Sequence, residues 1–368
     1  MGKWEMVSFE DALDDVTKLA TKIKKERYLS NGDYQIVDQG KGYIAGYSDE
    51  EEGIYSDIPV IVFGDHTRVI KYVCVPLFIG ADGVKLLKVK RSDLETKFVY
   101  YYLKSRRIID TGYNRHFKWL KEFGIPVPSL EEQQQIINTF DEINMLISLK
   151  KQQLEELDLL VKSRFVEMFG DPVTNPMGWD SKILGEYITF LTSGSRGWSQ
   201  FFSEDGEMFL TIKNVKNSSI STSNVQFVHA PATKEAERTR VNEGDLLISI
   251  TADLGRTGVV DSAIADYGAY INQHLSLVRL DGKRVNPQYV SRYLETDAGK
   301  MQFEAKNQVG VKSGLNFDSV KSLTIAVPPL ELQNRYMDFV HQVDKSKFII
   351  DYEANLSIML YEILSYAL

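Results

Sequence analysis

Two long segments of the chain carry apolar residues at most of the positions that are spaced alternately by four and three residues. The first runs from Ile136 to Met168, and the second from Tyr336 to Leu368. An interval averaging about 3.5 residues places apolar side chains on one stripe of a helix, and two such stripes bury each other by pairing. The pattern therefore predicts two long helices that pair along these stripes. The residues expected to form the pairing surface are Ile136, Phe140, Ile143, Ile147, Leu154, Leu157, Val161, Tyr336, Val340, Val343 and Ile350.

The same short motif precedes both predicted helices. Residues 125–133 and 325–333 are identical at six of nine positions, at an offset of 200 residues. In the first copy the prolines end an extended stretch, Ser129 is a candidate N-cap, and Glu132 completes a capping box. Gly170 and Pro172 end the first helix. Because neither helix has a proline or glycine break between its caps, pairing is favoured over two separate amphipathic helices, although pairing between two chains stays open.

The regions before each long helix contain both strand-like and helix-like patterns. Apolar runs at 58–63, 69–75 and 84–89 predict strands and 93–104 predicts a helix, and the second region shows a comparable mixture. Two weaker echoes, Trp4 with Trp179 and residues 79–82 with 271–274, occur in the same order and indicate a duplication. The fold class is therefore α/β with two mixed α/β domains. The predicted boundaries are 1–128 and 171–327 for the domains, and 129–170 and 328–368 for the long helices.

The composition is typical of a globular protein. The chain has 368 residues, of which 43% are hydrophobic and 26% charged, so a disordered chain and a collagen are excluded. No apolar run approaches the roughly 18 residues that span a bilayer, and the N-terminus shows no signal-type stretch. Cys74 is the single cysteine, which excludes an internal disulfide and makes a reducing, cytoplasmic setting the expectation.

The net charge of −8 hides a strong local difference. Residues 85–121 carry 11 Lys and Arg against 3 Asp and Glu, a local charge of +8, whereas residues 131–170 carry 4 against 8. A basic segment is the electrostatic feature expected of a DNA-binding domain, although an ordinary solvated face has the same composition. Charge alone leaves both interpretations open.

Motifs for catalysis are absent from the sequence. There is no P-loop, no dinucleotide-binding glycine fingerprint, no serine nucleophile elbow and no adenine-methylating tetrapeptide. The five histidines are scattered without metal-ligand spacing. Asp82 with Glu95 and Lys97 resembles a metal-dependent nuclease pattern, but that pattern is unspecific. We therefore expect no catalytic residue, metal site or cofactor in this chain.

Several motifs together resemble the specificity subunits of type I restriction-modification enzymes. The resemblance covers essentially the whole chain. It lies in the two motifs before the long helices, in Trp4 and Trp179 at the start of each domain, and in residues 64–72, 79–85, 113–121 and 164–172.

This resemblance implies two target-recognition domains joined by two long antiparallel helices in a pseudo-twofold arrangement. Inverted domains suit inverted half-sites, so the expected target is double-stranded DNA with a gapped, two-part sequence. The resemblance also implies docking of two methyltransferase subunits on the helices, and restriction subunits joined through the complex. Adenine methylation from S-adenosylmethionine, and DNA cleavage driven by ATP with magnesium, would then belong to those partners, and no membrane is involved.

Side chains suited to DNA occur in both domains. Phosphates are bound by Lys, Arg and backbone amides, and base edges by Arg, Asn, Gln, Ser and Thr. Each residue taken singly is as well explained as an ordinary exposed side chain, so the sets carry the prediction. The candidates are His66, Thr67, Arg68, Lys71, Tyr113, Asn114, Arg115, His116 and Lys118 in the first domain, and Ser195, Arg196, Arg256, Asn307, Gln308, Lys312, Ser313 and Asn316 in the second.

Two alternative functions remain at this point. A self-contained nuclease would need a metal-binding acid cluster, which the sequence does not display. A coiled-coil adaptor without a DNA role would leave the basic segment and the duplicated domains unexplained.

Overall fold

Two units make up the computed structural model, which describes residues 4–80, 83–110, 112, 114–307 and 314–368. The first unit comprises Met1–Gln153 with Ile349–Leu368, and the second comprises Leu154–Phe348. Each long helix contributes one part to each unit. The predicted boundaries at 128, 170 and 327 instead separate the helices from the domains.

Short strands alternate with helices before and between the two long helices. The first group of strands is β1 (Glu5–Val7), β2 (Leu13–Asp15), β3 (Tyr34–Val37), β4 (Gly46–Ser48), β5 (Val60–Gly64), β6 (Ile70–Val73), β7 (Leu77–Ile79), β8 (Val84–Val89) and β9 (Ile125–Val127). The second group is β10 (Ser181–Ile183), β11 (Ile188–Ser193), β12 (Phe202–Ser203), β13 (Glu207–Leu210), β14 (Val215–Lys216), β15 (Ser219–Ile220), β16 (Gln226–Val228), β17 (Leu246–Ser249), β18 (Thr257–Val259), β19 (Ala269–Ile271), β20 (Leu275–Leu280) and β21 (Thr324–Ala326).

The helices differ widely in length. The α-helices are α1 (Phe9–Ala12), α2 (Thr96–Ser105), α3 (Phe117–Leu120), α4 (Leu130–Phe169), α5 (Lys234–Thr239), α6 (Ser262–Tyr267), α7 (Pro287–Leu294), α8 (Asp297–Lys306), α9 (Phe317–Lys321) and α10 (Leu330–Ala367). The two long ones, α4 and α10, have 40 and 38 residues. The α/β fold class with two mixed regions and two long helices is confirmed.

Equivalent sheets occur in the two units. The first unit has an antiparallel sheet in the order β2-β8-β5-β6, and the second has one in the order β11-β20-β17-β18. A further sheet in each unit contains one parallel pair, β3 with β7 and β13 with β19. The echo between residues 79–82 and 271–274 begins at the ends of β7 and β19, the equivalent strands of the duplication.

The central strand β5 is buried on both faces. Val60 and Val62 belong to one hydrophobic cluster, whereas Ile61 and Phe63 belong to another, because successive side chains of a strand point to opposite faces. The second cluster also contains Phe98 of α2 and the α4 residues Ile137 and Phe140. In the second unit, Leu247 and Ile248 of β17 divide between two clusters in the same way. Each domain therefore packs one sheet face against the helices.

The long helices run antiparallel within each unit. In the first unit the ring of Phe140 lies 5.0 Å from that of Tyr361, and Lys150 Nζ lies 2.7 Å from Glu353 Oε2. Higher numbers on α4 thus meet lower numbers on α10. In the second unit Lys347 Nζ donates to Asp158 Oδ1 at 2.6 Å. The eleven residues expected to form the pairing surface are all buried or half-buried.

The repeated motif before each helix has a definite structural role. Its strand β9 pairs with β1, immediately after Trp4, and β21 pairs with β10, soon after Trp179. At the end of the motif Gln133 is fully buried, and its Oε1 accepts from Glu95 N at 2.8 Å. Gln333, equally buried, accepts from Asn286 N at 2.9 Å. Each glutamine thus ties the start of a long helix to the start of a domain helix.

The helix ends follow the sequence signals. Ser129 Oγ accepts from Glu132 N at 3.3 Å, and Glu132 Oε2 accepts from Ser129 N at 3.1 Å, so the capping box is confirmed. Gly170 has a φ of +80°, the left-handed conformation that glycine adopts after a helix. The predicted strand 58–63 begins two residues later, at Val60, since Pro59 has no N–H to donate.

Candidate nucleic-acid interface

The hairpin turn between β5 and β6 presents the first set of candidate residues. Arg68 adopts a left-handed backbone with φ of +62°, and its N–H donates to Gly64 O at 2.7 Å. A non-glycine residue in this conformation is uncommon and is often found where function requires it. Thr67 is exposed, and its Oγ1 donates to Gln39 O at 2.6 Å. Gln39 O thereby fixes this turn against the loop after β3.

The loop before α3 lies beside this turn. Buried Asp65 joins them, because its Oδ1 accepts from Phe117 N at 2.7 Å and its backbone O accepts from His116 N at 2.8 Å. Asn114 O lies 3.2 Å from the imidazole of His66. The structure therefore brings together two sets of residues that the sequence placed about 50 positions apart. We call this surface, residues 64–70 with 104–110, 112, 114, 115, 117 and 118, the first turn–loop surface.

This surface is basic. A cavity of about 420 Å³ is lined by Arg68, Lys104, Arg106 and Arg107, together with apolar residues of β6 and of the loop. Arg115 is exposed and forms no ion pair among the described residues. Exposed Lys118 lies over the ring of Trp119, with its Nζ 4.2 Å from the ring centroid. Clustered cations of this kind suit a polyanionic backbone.

Three candidates lie in the interior, and their predicted role is revised. Lys71 is 5% exposed, and its Nζ donates to the backbone oxygens of Asp38 and Gly42 at 2.7 and 2.6 Å. Burial lowers its pKa, partly offset by Asp38. His116 is fully buried, with Nδ1 3.0 Å from Asp65 O. Ser195 is 2% exposed, and its Oγ lies 3.1 Å from Thr239 Oγ1. These side chains support the loops and do not reach the surface.

The second unit has a similar turn between β17 and β18. Ala252 has a φ of +58°, and Arg256 Nη2 lies 2.6 Å from Asp253 Oδ2. The loop before α9 again meets the turn, because Leu315 N donates to Ile250 O at 2.8 Å and Gly314 forms a bridge with Thr251. Residues 250–256 with 314–316 form the second turn–loop surface.

The remaining candidates of the second unit occupy several positions. Asn316 is the N-cap of α9, and its Oδ1 accepts from Ser319 N at 2.7 Å. Asn307 is the C-cap of α8, and exposed Arg196 follows the buried Ser195. Among the described residues, no hydrogen bond or ion pair joins the Arg196 side chain to the second turn–loop surface. Gln308, Lys312 and Ser313, like Tyr113 of the first domain, lie outside the described residues.

Sequence reasoning missed several residues of these surfaces. Arg106 and Arg107 lie inside the +8 segment, and that charge was the available signal. Asp110, whose Oδ2 lies 2.7 Å from Arg68 Nη2, carried no signal because their pairing depends on the tertiary fold. The Gly112 amide and Arg68 hold the pKa of Asp110 below its usual range. This carboxylate is therefore ionised at neutral pH.

The described residues contain no group of three or more His, Cys, Asp and Glu side chains able to hold a metal ion. Within the same part of the chain, no helix is long and apolar enough to cross a membrane.

Comparisons with known proteins agree with this geometry. The family model described as type I restriction modification DNA specificity domain matches residues 1–159 and 178–358. A type I restriction enzyme specificity subunit of Escherichia coli is 20% identical over 342 residues, which cover 88% of this chain and 82% of that protein. The family match gives no support to the nuclease and adaptor alternatives.

Two solved structures share the fold. The S subunit of a type I restriction-modification system from M. genitalium has a TM-score of 0.62 at 16% identity, covering 99% of this chain and 95% of that one. A chain from a study of complex assembly and conformational transition of the type I R-M system has a TM-score of 0.58 at 18% identity, covering 99% and 97%. The two mixed domains and the long helices therefore belong to a known architecture.

Proposed function

Because this chain belongs to the family of type I restriction-modification specificity subunits, we propose that its two turn–loop surfaces each read one half of a gapped DNA sequence. Specificity subunits of these systems bind DNA and assemble with the other subunits of the complex. The observation that carries the assignment is the recurrence of a hairpin turn beside a loop in both units. Each turn contains an arginine and lies next to a short helix that begins at Phe117 or Phe317.

The two surfaces differ in the side chains that they present. The first offers Arg68, Asn114 and Arg115, and the second offers Arg256 and Asn316. Arginine and asparagine are suited to the base edges of the major groove, whereas a phosphate contact carries no sequence information. Different side chains on equivalent scaffolds should select different base pairs. We therefore expect two unlike half-sites.

The long helices offer a second surface, for the methyltransferase subunits. Several large apolar side chains point to solvent at positions that repeat at the 200-residue offset. The pairs are Leu149 with Ile349 (43% and 57% exposed), Leu159 with Met359 (63% and 57%), Leu160 with Leu360 (46% and 47%), and Val166 with Tyr366 (49% and 86%). Large exposed apolar patches rimmed by polar residues mark protein–protein interaction sites. Because this set of exposed side chains occurs twice, it favours two methyltransferase subunits.

Methylation and cleavage of the DNA are carried out by the partner subunits. The chain itself is non-catalytic, S-adenosylmethionine, ATP and magnesium bind to the methyltransferase and restriction subunits, and the complex works in the cytoplasm. The absence of nucleotide-binding and methylation motifs from the sequence supports this division.

The proposed DNA surfaces can be tested with arginine substitutions. Arg115→Ala removes an exposed cation from the first surface, and Arg256→Ala removes a half-buried one from the second. Arg335→Ala is the control because Arg335 is exposed on α10. A lost base contact should weaken binding to the cognate duplex by about 1–3 kcal/mol, and a lost phosphate contact should also reduce the salt dependence. Affinity unchanged by both substitutions would exclude these surfaces.

A further inference from the structure

The turn arginine is held by an exposed aspartate in both units. Arg68 Nη2 lies 2.7 Å from Asp110 Oδ2, with side chains 29% and 64% exposed. Arg256 Nη2 lies 2.6 Å from Asp253 Oδ2, with side chains 33% and 64% exposed. In both cases the arginine lies where the turn rejoins the sheet: Arg68 N donates to Gly64 O, and Arg256 O accepts from Ser249 N.

The two units reach this pairing by different routes. Asp110 belongs to the loop that follows α2, 42 positions beyond its arginine, whereas Asp253 precedes its arginine by three positions within the same turn. Duplication of one ancestral contact therefore does not account for both pairs. Exposed ion pairs also contribute little to stability, so folding gives no strong reason for either. Their common property is that each aspartate pairs with a guanidinium on a surface proposed to bind DNA.

An aspartate paired with a turn arginine opposes binding to non-cognate DNA. Non-specific affinity comes almost entirely from cations that neutralise phosphates and release counterions. An aspartate beside the arginine neutralises that cation and also repels the phosphate. Only a complex with enough additional contacts can draw the arginine away from its partner.

We propose that Asp110 and Asp253 compete with DNA phosphate for Arg68 and Arg256, and so suppress binding to non-cognate sequences. The inference rests on the proposed DNA-binding function of the two turn–loop surfaces. In the cognate complex, base contacts provide the free energy that releases each arginine. The aspartates thereby raise the ratio of specific to non-specific affinity.

Replacing each aspartate by neutral asparagine tests the proposal, because it predicts tighter binding to random DNA. Asp110→Asn keeps an oxygen that can accept from Gly112 N, a contact of 2.9 Å made by Asp110 Oδ1, so the loop retains its local support. Asp253→Asn leaves its backbone O, the acceptor for Ser249 Oγ, unchanged. Glu52→Gln and Asp266→Asn are the controls, since both carboxylates are exposed and lack ion pairs within the described part of the chain.

The full chain in complex with its methyltransferase subunits is titrated with a random-sequence duplex and with the cognate duplex. Each aspartate variant should bind random DNA more tightly than wild type or controls. One additional phosphate contact steepens the salt slope by about 0.9, which is about a 3.5-fold greater loss of affinity between about 50 and 200 mM salt. Cognate affinity should change less, so the specificity ratio falls.

Random-DNA affinity that is unchanged, weaker, or no different from the controls would overturn the inference. Arg68→Ala and Arg256→Ala separate this failure from failure of the proposed function. If the arginine variants weaken binding to the cognate duplex while the asparagine variants do not strengthen binding to random DNA, only the inference fails. If the arginine variants leave binding to the cognate duplex unchanged, the proposed DNA-binding surfaces themselves fail.

Discussion

The repeated glutamine before each long helix gives the sharpest test of how the domains are held. Gln133 is fully buried; its Nε2 donates to Asp93 O at 2.7 Å and to Pro128 O at 2.9 Å, and its Oε1 accepts from Glu95 N at 2.8 Å. Gln133→Leu keeps much of the volume but removes all three hydrogen bonds. A buried polar group left without a hydrogen-bond partner costs about 1–3 kcal/mol. A backbone carbonyl that still accepts from another donor costs less than a backbone N–H that has lost its acceptor.

We therefore expect Gln133→Leu to lower the local opening free energy at the start of α2 by about 2–4 kcal/mol. Gln333→Leu should cost somewhat less, because Gln333 makes two such bonds among the described residues, with Asn286 N and Pro328 O. Hydrogen exchange is the appropriate assay, since it reports each region separately. An effect of 2–4 kcal/mol corresponds to exchange about 30 to 1000 times faster in peptides covering α2.

The exposed Gln135, two positions after Gln133 on the same helix, provides the control. Gln135→Leu should leave exchange in α2 unchanged. Acceleration below about threefold in Gln133→Leu, or equal acceleration in the control, would refute the role given to the buried glutamine.

Three further experiments test the packing and electrostatics of the fold. Phe140→Ala should destabilise the first unit by about 3–5 kcal/mol in denaturant titration, because Phe140 is 3% exposed; a loss below about 1 kcal/mol would contradict this. A double-mutant cycle on Lys150 and Glu353 should give a coupling energy of only about 0.2–1 kcal/mol, because this is a solvent-exposed ion pair. A much larger coupling energy would contradict this description of the pair. Arg279→Ala should cost about 3–5 kcal/mol in thermal or denaturant unfolding, because the fully buried Asp245 loses both 2.7 Å bonds to the guanidinium and keeps only the one from Asn242 N. Near-neutral stability would exclude this ion pair as a determinant of stability.

The periodic parts of the sequence predicted the structure well because their signal is local. The stripe from Ile136 to Val161 and the capping box at Ser129 depend on residues within a few turns of one helix. The repeated motif also predicted a structural role, and its terminal glutamine proved to connect two helices. The strands of the two domains were predicted only roughly, since their pairing depends on partners distant in sequence.

The candidate interface was less predictable, for a physical reason. Residue type identifies groups that suit DNA, but exposure decides whether they can reach it. Lys71 and His116 have suitable side chains, but both are buried and form hydrogen bonds to backbone oxygens in the interior. Conversely, Arg107 and Asp110 lie on the first turn–loop surface without any local motif to mark them.

The measurement that tests the central claim most directly is a map of methylated adenines in a host that expresses this chain with its methyltransferase subunit. We expect a gapped, two-part motif that disappears when the chain is omitted, and expect exchange of residues 1–128 to alter only one half of it. Methylation that is absent, or that persists unchanged without the chain, would contradict its role as the subunit that selects the DNA sequence.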